Sequence, residues 1–164
     1  MRLGIIGASK IEFLKKVNEN CEEILTQIAK LIKEHEIVVT PDKGAVSEFV
    51  TKRYLEKGGK KVWEIIPLED KEFGYEGWLN EGLGETINCG TWRNQPEKFN
   101  EETDALICCG YAVGVLAEIA YSKWFNPKPV YIINELVSGK LPIEVERSLN
   151  LNYISLKELK NFVK

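Results

Sequence analysis

Short apolar runs alternate along this chain with longer stretches in which apolar positions recur every three or four residues. The first run, Leu3 to Ile6, gives way to Gly7-Ala8-Ser9. A segment follows with Leu14, Val17, Cys21, Ile24, Ile28, Leu31 and Ile32 at helical spacing. Such spacing buries one helical face, so the pattern predicts a strand, then a long amphipathic helix with Ser9 as its cap. Ile37-Val38-Val39 predicts a second strand, ending at Thr40-Pro41-Asp42-Lys43-Gly44. Val46, Phe49, Val50 and Tyr54 then stripe a second helix that stops at Gly58-Gly59. Val62 to Ile66 predicts a third strand, and Ala105 to Cys109 and Pro129 to Ile133 two more. Helix signals over Arg93 to Glu102, and from Gly110 to about Trp124, lie between them. Strands separated by helices in this order point to βαβ units. The expected fold is a Rossmann-like α/β domain with a mostly parallel sheet of about six or seven strands and helices on both faces.

Toward the C-terminus the pattern predicts a short helix over Pro142 to Leu149 and a late edge strand at Asn152-Tyr153-Ile154. Ser155-Leu156-Lys157-Glu158 matches a capping box and opens a final helix. One stretch breaks the rhythm. Glu69 to Gly90 carries Gly74, Gly77, Gly82, Gly84 and Gly90 among Phe73, Tyr75 and Trp78, with a short strand around Thr86 to Cys89. Long loops inside compact domains often serve as lids or binding loops. The alternative is a surface excursion whose aromatics patch the core. With no internal repeat, low-complexity tract or linker, the 164 residues are expected to form one domain over 1–164.

Composition narrows the classes. Hydrophobic residues at 44% and charged residues at 29% suit a chain that buries one core. A net charge of −3 and a pI near 5.4 argue against a nucleic-acid partner, which calls for a basic face. No apolar run approaches the roughly 18 residues needed to span a bilayer. The first residues lack the features of a signal peptide, so no membrane partner and a cytoplasmic location are expected. The cysteines Cys21, Cys89, Cys108 and Cys109 form no C-x-x-C, and His35 is the single histidine. No metal site is expected from such a set, and no resident cofactor is expected either. Cys108 and Cys109, adjacent in a strand, should face opposite sides of the sheet. With Cys21 they read as small core residues, leaving Cys89 as the thiol to test for reactivity.

Ligands of open parallel sheets bind beyond the carboxyl ends of the strands, where strand order reverses. That rule selects Gly7-Ala8-Ser9, Pro41 to Gly44, the Gly90 to Asn94 turn and the stretch from Gly110 to Glu118. Gly7-Ala8-Ser9 is not a G-x-G-x-x-G fingerprint, which leaves an NAD or FAD enzyme little support. Its amides could still meet a phosphate at a helix N-terminus. Thr91-Trp92-Arg93-Asn94, followed after a strand by Gly110-Tyr111-Ala112-Val113-Gly114-Val115-Leu116-Ala117-Glu118, resembles the LOG/SLOG (Lonely Guy, lysine decarboxylase-like) family. Arg93-Asn94 stands at that family's Arg-Asn pair, and Gly110, Gly114 and Glu118 stand in its P/G-G-G-x-G-T-x-x-E loop. The likeness runs from Met1 to about Ile133.

The resemblance implies a nucleotide-binding domain, although Pro41-Asp42-Lys43-Gly44 replaces the family's glycine-rich turn after the second strand. The expected ligand contacts are Gly7, Ala8, Ser9, Asp42, Lys43, Gly44, Asn94, Gly110, Tyr111, Gly114 and Val115. Trp92 either stacks on a base or, as a tryptophan near a glycine more often does, packs against the protein. The resemblance implies Arg93 and Glu118 as a catalytic pair for cleaving a base from ribose 5′-monophosphate. Taken without it, Glu118 reads as a paired structural carboxylate and Arg93 as an ion-pair partner. Tyr111 and Ala112 replace two glycines of the loop, and Val115 replaces a threonine. The expected function is therefore binding of a nucleotide or related phosphorylated small ligand, with the catalytic apparatus blunted. The alternatives are a nucleoside 5′-monophosphate phosphoribohydrolase using Arg93 and Glu118, and a carrier of a pterin-type molybdenum cofactor. The resemblance also implies a homodimer or higher homo-oligomer, with the helices at Arg93 and Gly110 near the interface; Trp124 fits such burial, and a core position explains it equally well.

Overall fold

Runs of four to six mostly apolar residues become strands when both faces of the sheet are covered, because alternate side chains then enter different cores. The computed structural model describes residues 1–164. In chain order the elements are β1 (Arg2–Gly7), α1 (Ile11–Lys15), α2 (Cys21–Leu31), β2 (Glu36–Val39), α3 (Val46–Glu56), β3 (Lys61–Ile66), β4 (Glu85–Asn88), α4 (Gln95–Glu101) and β5 (Ala105–Cys109). Then come α5 (Val113–Tyr121) with a 3-10 turn at Ser122–Trp124, β6 (Pro129–Ile133), α6 (Ile143–Glu146), β7 (Asn150–Ile154) and α7 (Leu156–Phe162). The seven strands lie in the order β4-β3-β2-β1-β5-β6-β7, and every neighbouring pair is parallel. This is the expected Rossmann-like α/β arrangement.

The alternation of side chains sorts the core into two layers. Leu3, Ile5, Ile37, Val39, Ile107 and Cys109 pack with Leu25, Ile28, Val50, Tyr54 and Leu159 from α2, α3 and α7. Ile6, Val38, Ile65, Leu106 and Cys108 pack with Phe99, Val115 and Ile119 from α4 and α5. Cys108 and Cys109 therefore face opposite layers, as their adjacency requires. Gly4 allows α4 its close approach: a Cβ there would lie 2.6 Å from both Phe99 and Leu106. The far end of α4 is held by Lys128, whose buried Nζ donates to the carbonyls of Asn100 and Thr103 and to Thr103 Oγ1. The capping box of α7 forms, with Ser155 N donating to Glu158 Oε2 at 2.7 Å.

The first helix departs from expectation. The periodic segment breaks between Lys15 and Cys21, where Asn18 Oδ1 accepts from Asn20 N at 2.9 Å and Asn18 Nδ2 donates to Glu135 O at 3.0 Å. Such local side-chain bonds compete with helical ones. Ser9 caps nothing: α1 opens at Lys10 without a side-chain cap. The next two departures are smaller. The helix expected from Arg93 starts at Gln95, because Asn94 Oδ1 turns back to Thr91 N and Thr91 Oγ1. The helix expected over Pro142 to Leu149 contracts to Ile143–Glu146.

Candidate functional site

From β1 the chain steps outward through β2, β3 and β4, then returns to β5 on the other side of β1 and continues to β6 and β7. The order reverses between β1 and β5, and a crevice opens beyond their C-terminal ends. It has two connected chambers. The inner one, about 320 Å³, is lined by Gly7, Ser9, Thr40, Asp42, Trp92, Gln95, the start of α5 and Glu118, among others. The outer one, about 510 Å³, is lined by Ser9, Lys10, Asp42, Lys43, Phe73, Trp78 and Trp92. Ser9, Asp42 and Trp92 belong to both.

Glu118, 8% exposed on the second turn of α5, lines the inner chamber. Its Oε1 accepts from Gln95 Nε2 at 2.9 Å, and the same nitrogen donates to Thr40 Oγ1 at 2.9 Å. Thr40 Oγ1 in turn donates to Ile65 O at 3.2 Å. The Glu118 backbone carbonyl accepts from Asn100 Nδ2 at 2.9 Å, which fixes α5 against α4. Burial pushes the Glu118 carboxyl up to about 8; the Gln95 amide opposes that rise and the Asp42 charge adds to it. Burial likewise raises Asp42 to about 6. No lysine, arginine or histidine lines the inner chamber. At the start of α5, Ala112 provides no side-chain cap, and Leu116 N donates to Ala112 O at 3.0 Å. The amides of Val113, Gly114 and Val115 are then the orphan donors of the helix end, and all three residues line the chamber.

The outer chamber is built by the glycine-rich connection between β3 and β4. The Asp70 carboxylate accepts from Phe73 N (2.8 Å), Trp92 N (3.0 Å) and Glu72 N (3.1 Å), which holds its pKa below the usual range. Buried Glu64 receives the amides of Gly82 and Leu83. Trp92 Nε1 donates to Gly74 O at 2.7 Å, and Lys43 N to Trp78 O at 2.8 Å. The loop is thus strapped across the turn after β2. Leu79 is its core plug, while Phe73 and Trp78 stay 57% and 62% exposed at the cleft.

The residues singled out from the sequence divide into groups. Gly7, Ser9, Asp42, Trp92, Gly114, Val115 and Glu118 line the inner chamber, and Lys43 lines the outer one. Ala8 and Tyr111 line a separate cavity of about 90 Å³. Tyr111 keeps an ordinary φ and donates its hydroxyl to Gly139 O at 3.0 Å. Gly110 takes the turn, at φ 106°, where a Cβ would sit 2.9 Å from Leu14. Gly44 and Asn94 serve the turns they occupy: Gly44 O accepts from Ile11 N, and Asn94 bonds to Thr91. Arg93 is 71% exposed at its side chain, pairs with Glu72 at 3.0 Å, and lines neither chamber. Arg93 and Glu118 are therefore not brought together. Gln95 and Thr40, which hold Glu118, were not legible as site residues, because neither belongs to a motif. Cys89 is buried and pushed up to about 11 by burial, which removes the condition for a reactive thiol. No helix is long and apolar enough to cross a membrane.

No protein-family model matches the chain, and comparison with curated proteins gives no match. Solved structures do match. A molybdenum cofactor binding protein from the phototrophic bacterium Rippkaea orientalis shares 16% identity at a TM-score of 0.72, over 99% of this chain and 94% of that one. The Moco carrier protein from Chlamydomonas reinhardtii shares 16% identity at a TM-score of 0.68, over 99% and 94%. A structural-genomics target shares 19% identity at 0.71, over 99% and 97%. These likenesses establish the fold over nearly the whole chain. They also correct the placement in the LOG/SLOG family, with its lysine decarboxylase-like label and nucleotide-binding reading: the named neighbours are molybdenum cofactor proteins. The spacing that suggested LOG/SLOG is explained by the fold, since a strand, glycine turn and helix recur wherever a parallel sheet forms its switch-point cleft.

Proposed function

We propose that this chain is a carrier for a pterin-type, phosphorylated molybdenum cofactor. The observation that carries this reading is the two-chamber cleft at the switch point, about 320 and 510 Å³ in volume, with Phe73, Trp78 and Trp92 lining its outer chamber. Flat aromatic faces suit a planar heterocycle. The names of the Rippkaea orientalis and Chlamydomonas reinhardtii neighbours support the same cargo. A carrier has no reaction to catalyse, and the cleft is consistent with that. Glu118 is held mostly protonated near neutral pH with no cation beside it. The only His/Cys/Asp/Glu acids in the inner chamber are Asp42 and Glu118, so the metal would stay with the cofactor's own ligands.

The test is to release molybdenum cofactor from a molybdoenzyme, add it to the purified chain, and follow thermal stability together with tryptophan fluorescence. Ligand at 100 times its dissociation constant adds about 2.7 kcal/mol to stability. A melting shift, quenching of fluorescence and later delivery of the cofactor to an apo-molybdoenzyme are the expected results. Absence of any shift, with nucleoside monophosphates giving one instead, would remove the carrier reading.

The chain is further proposed to work as a homodimer through α5. Val113, Leu116 and Trp124 present 88%, 44% and 75% of their surface on that helix and its 3-10 extension, beside Ile143 and Val145 of α6.

A further inference from the structure

The two chambers differ in charge. The inner one holds two carboxyls, Glu118 and Asp42, and no basic side chain, whereas the outer one shares Asp42 and adds the two cations Lys10 and Lys43. Glu118 lines the chamber; its Oε1 takes the Gln95 amide, and its Oε2 has no hydrogen-bond partner in the protein. The Asp42 carboxyl likewise accepts nothing from the protein. Once ionised, these carboxyls offer unpaired acceptor oxygens in a chamber without a cation, and a ligand that brings hydrogen-bond donors satisfies them best. The amides of Val113, Gly114 and Val115 offer the opposite character from the same wall.

A chamber with carboxyl acceptors and a few backbone donors is complementary to a ring edge that presents two adjacent N–H groups and then a carbonyl. Resting on the carrier reading above, we infer that the inner chamber recognises the 2-amino-4-oxo edge of the pterin's pyrimidine ring. The amino group and ring N–H donate to Glu118 Oε2 and Asp42, and the 4-oxo group accepts from the start of α5. Any proton that Glu118 holds in the free protein leaves to solvent as these donors bind. The phosphate then points outward, to Lys10 and Lys43. The reverse orientation would set a phosphate against two acids, with only a helix end of roughly half a unit charge to offset them.

Calorimetric titration of the intact protein tests the assignment with three probes: neopterin, neopterin monophosphate, and the lumazine counterpart in which an oxo group replaces the 2-amino group. Neopterin is expected to bind at least about tenfold tighter than the lumazine, since a lone pair replaces a donor opposite a carboxyl. That preference should collapse in Glu118→Gln and in Asp42→Asn, each checked for an unchanged circular dichroism spectrum. Lys43→Ala should weaken neopterin monophosphate and leave neopterin unaffected. Equal affinity of the wild-type chain for the two rings would overturn the edge assignment while leaving the carrier reading standing. Failure of every pterin, the molybdenum cofactor included, would overturn both.

Discussion

A carboxyl buried without a cation makes stability depend on pH, and at the residue scale Glu118 is the clearest case. Its folded pKa of about 8 lies above the ordinary carboxyl value of 4.5, so between those limits the native state holds a proton that the unfolded chain has lost. The associated stability is fully present below the lower value and is lost as the pH rises toward the upper one. Asp42 adds the same slope between 3.8 and about 6. Glu118→Gln keeps the shape and removes the titration. Its melting temperature should exceed that of the wild type at about pH 8.5 and show no such gain at about pH 5. Lys128 acts in the opposite sense. Burial lowers its pKa from 10.5 to about 8, so its charged form is penalised and stability from this group is gained as the pH rises from 8 to 10.5. Lys128→Met would strand the carbonyls of Asn100 and Thr103 and should cost about 1–3 kcal/mol in denaturant melts. The thiols give a simpler check. All four cysteines are buried with raised pKa values, so a thiol reagent at neutral pH should label none rapidly in the native protein and all four after unfolding. On spacing alone Glu118 reads as a structural carboxylate, and it stands out in the sequence only through the LOG/SLOG loop pattern. Gln95 does not stand out at all, since its role exists only once α4 lies against α5.

Elements were legible where burial wrote a regular pattern and illegible where side-chain hydrogen bonds decided the backbone. β1, β2, β3, β5 and β6 follow apolar runs because both faces of each pack, whereas the edge strand β4 is polar and mostly exposed; Ser155 with Glu158 announced α7 through a bond the structure forms. The apolar spacing from Leu14 to Ile32 continues across a break that Asn18 makes, and periodicity alone does not register it. The connection between β3 and β4 shows the same dependence on a few polar side chains. Asp70 alone gathers three amides, two from the loop and one from Trp92, while Glu64 holds the loop's other end. Asp70→Ala removes those acceptors and frees Phe73 and Trp92 from one another. Hydrogen exchange over residues 72–78 should quicken, and cofactor binding should weaken because the aromatic mouth no longer holds its shape. The fold itself should survive with a loss of about 1–3 kcal/mol, since the core plug Leu79 is untouched. If exchange in the loop is unchanged, Asp70 is not what holds the loop in place.

Across the whole molecule the apolar surface is unevenly spread. Val113, Leu116 and Trp124 on α5 and its extension lie exposed, and Leu116 joins Ile119, Ala120, Leu141, Pro142, Val145 and Leu149 around an apolar groove of about 280 Å³. Scattered exposed hydrophobics need no explanation, but apolar side chains gathered on one helix beside a groove are where the proposed dimer would form. A second copy is the occupant that fits best, because an isologous contact covers the same patch on both chains at once. Such a contact would also matter for the cargo. Val113 is both the most exposed apolar residue of α5 and a lining residue of the inner chamber, so covering this helix changes the wall of the cleft. Leu116→Glu places a charge in the middle of the patch and does not line either chamber. Sedimentation should then show a shift from dimer to monomer, with the spectrum of the folded chain retained. If dimerisation shapes the cleft, cofactor affinity should fall in the same variant and recover as protein concentration is raised toward the weakened dimer's dissociation constant. A monomeric variant with undiminished affinity would separate the two, leaving each chain's cleft complete by itself and the apolar face of α5 concerned with assembly alone.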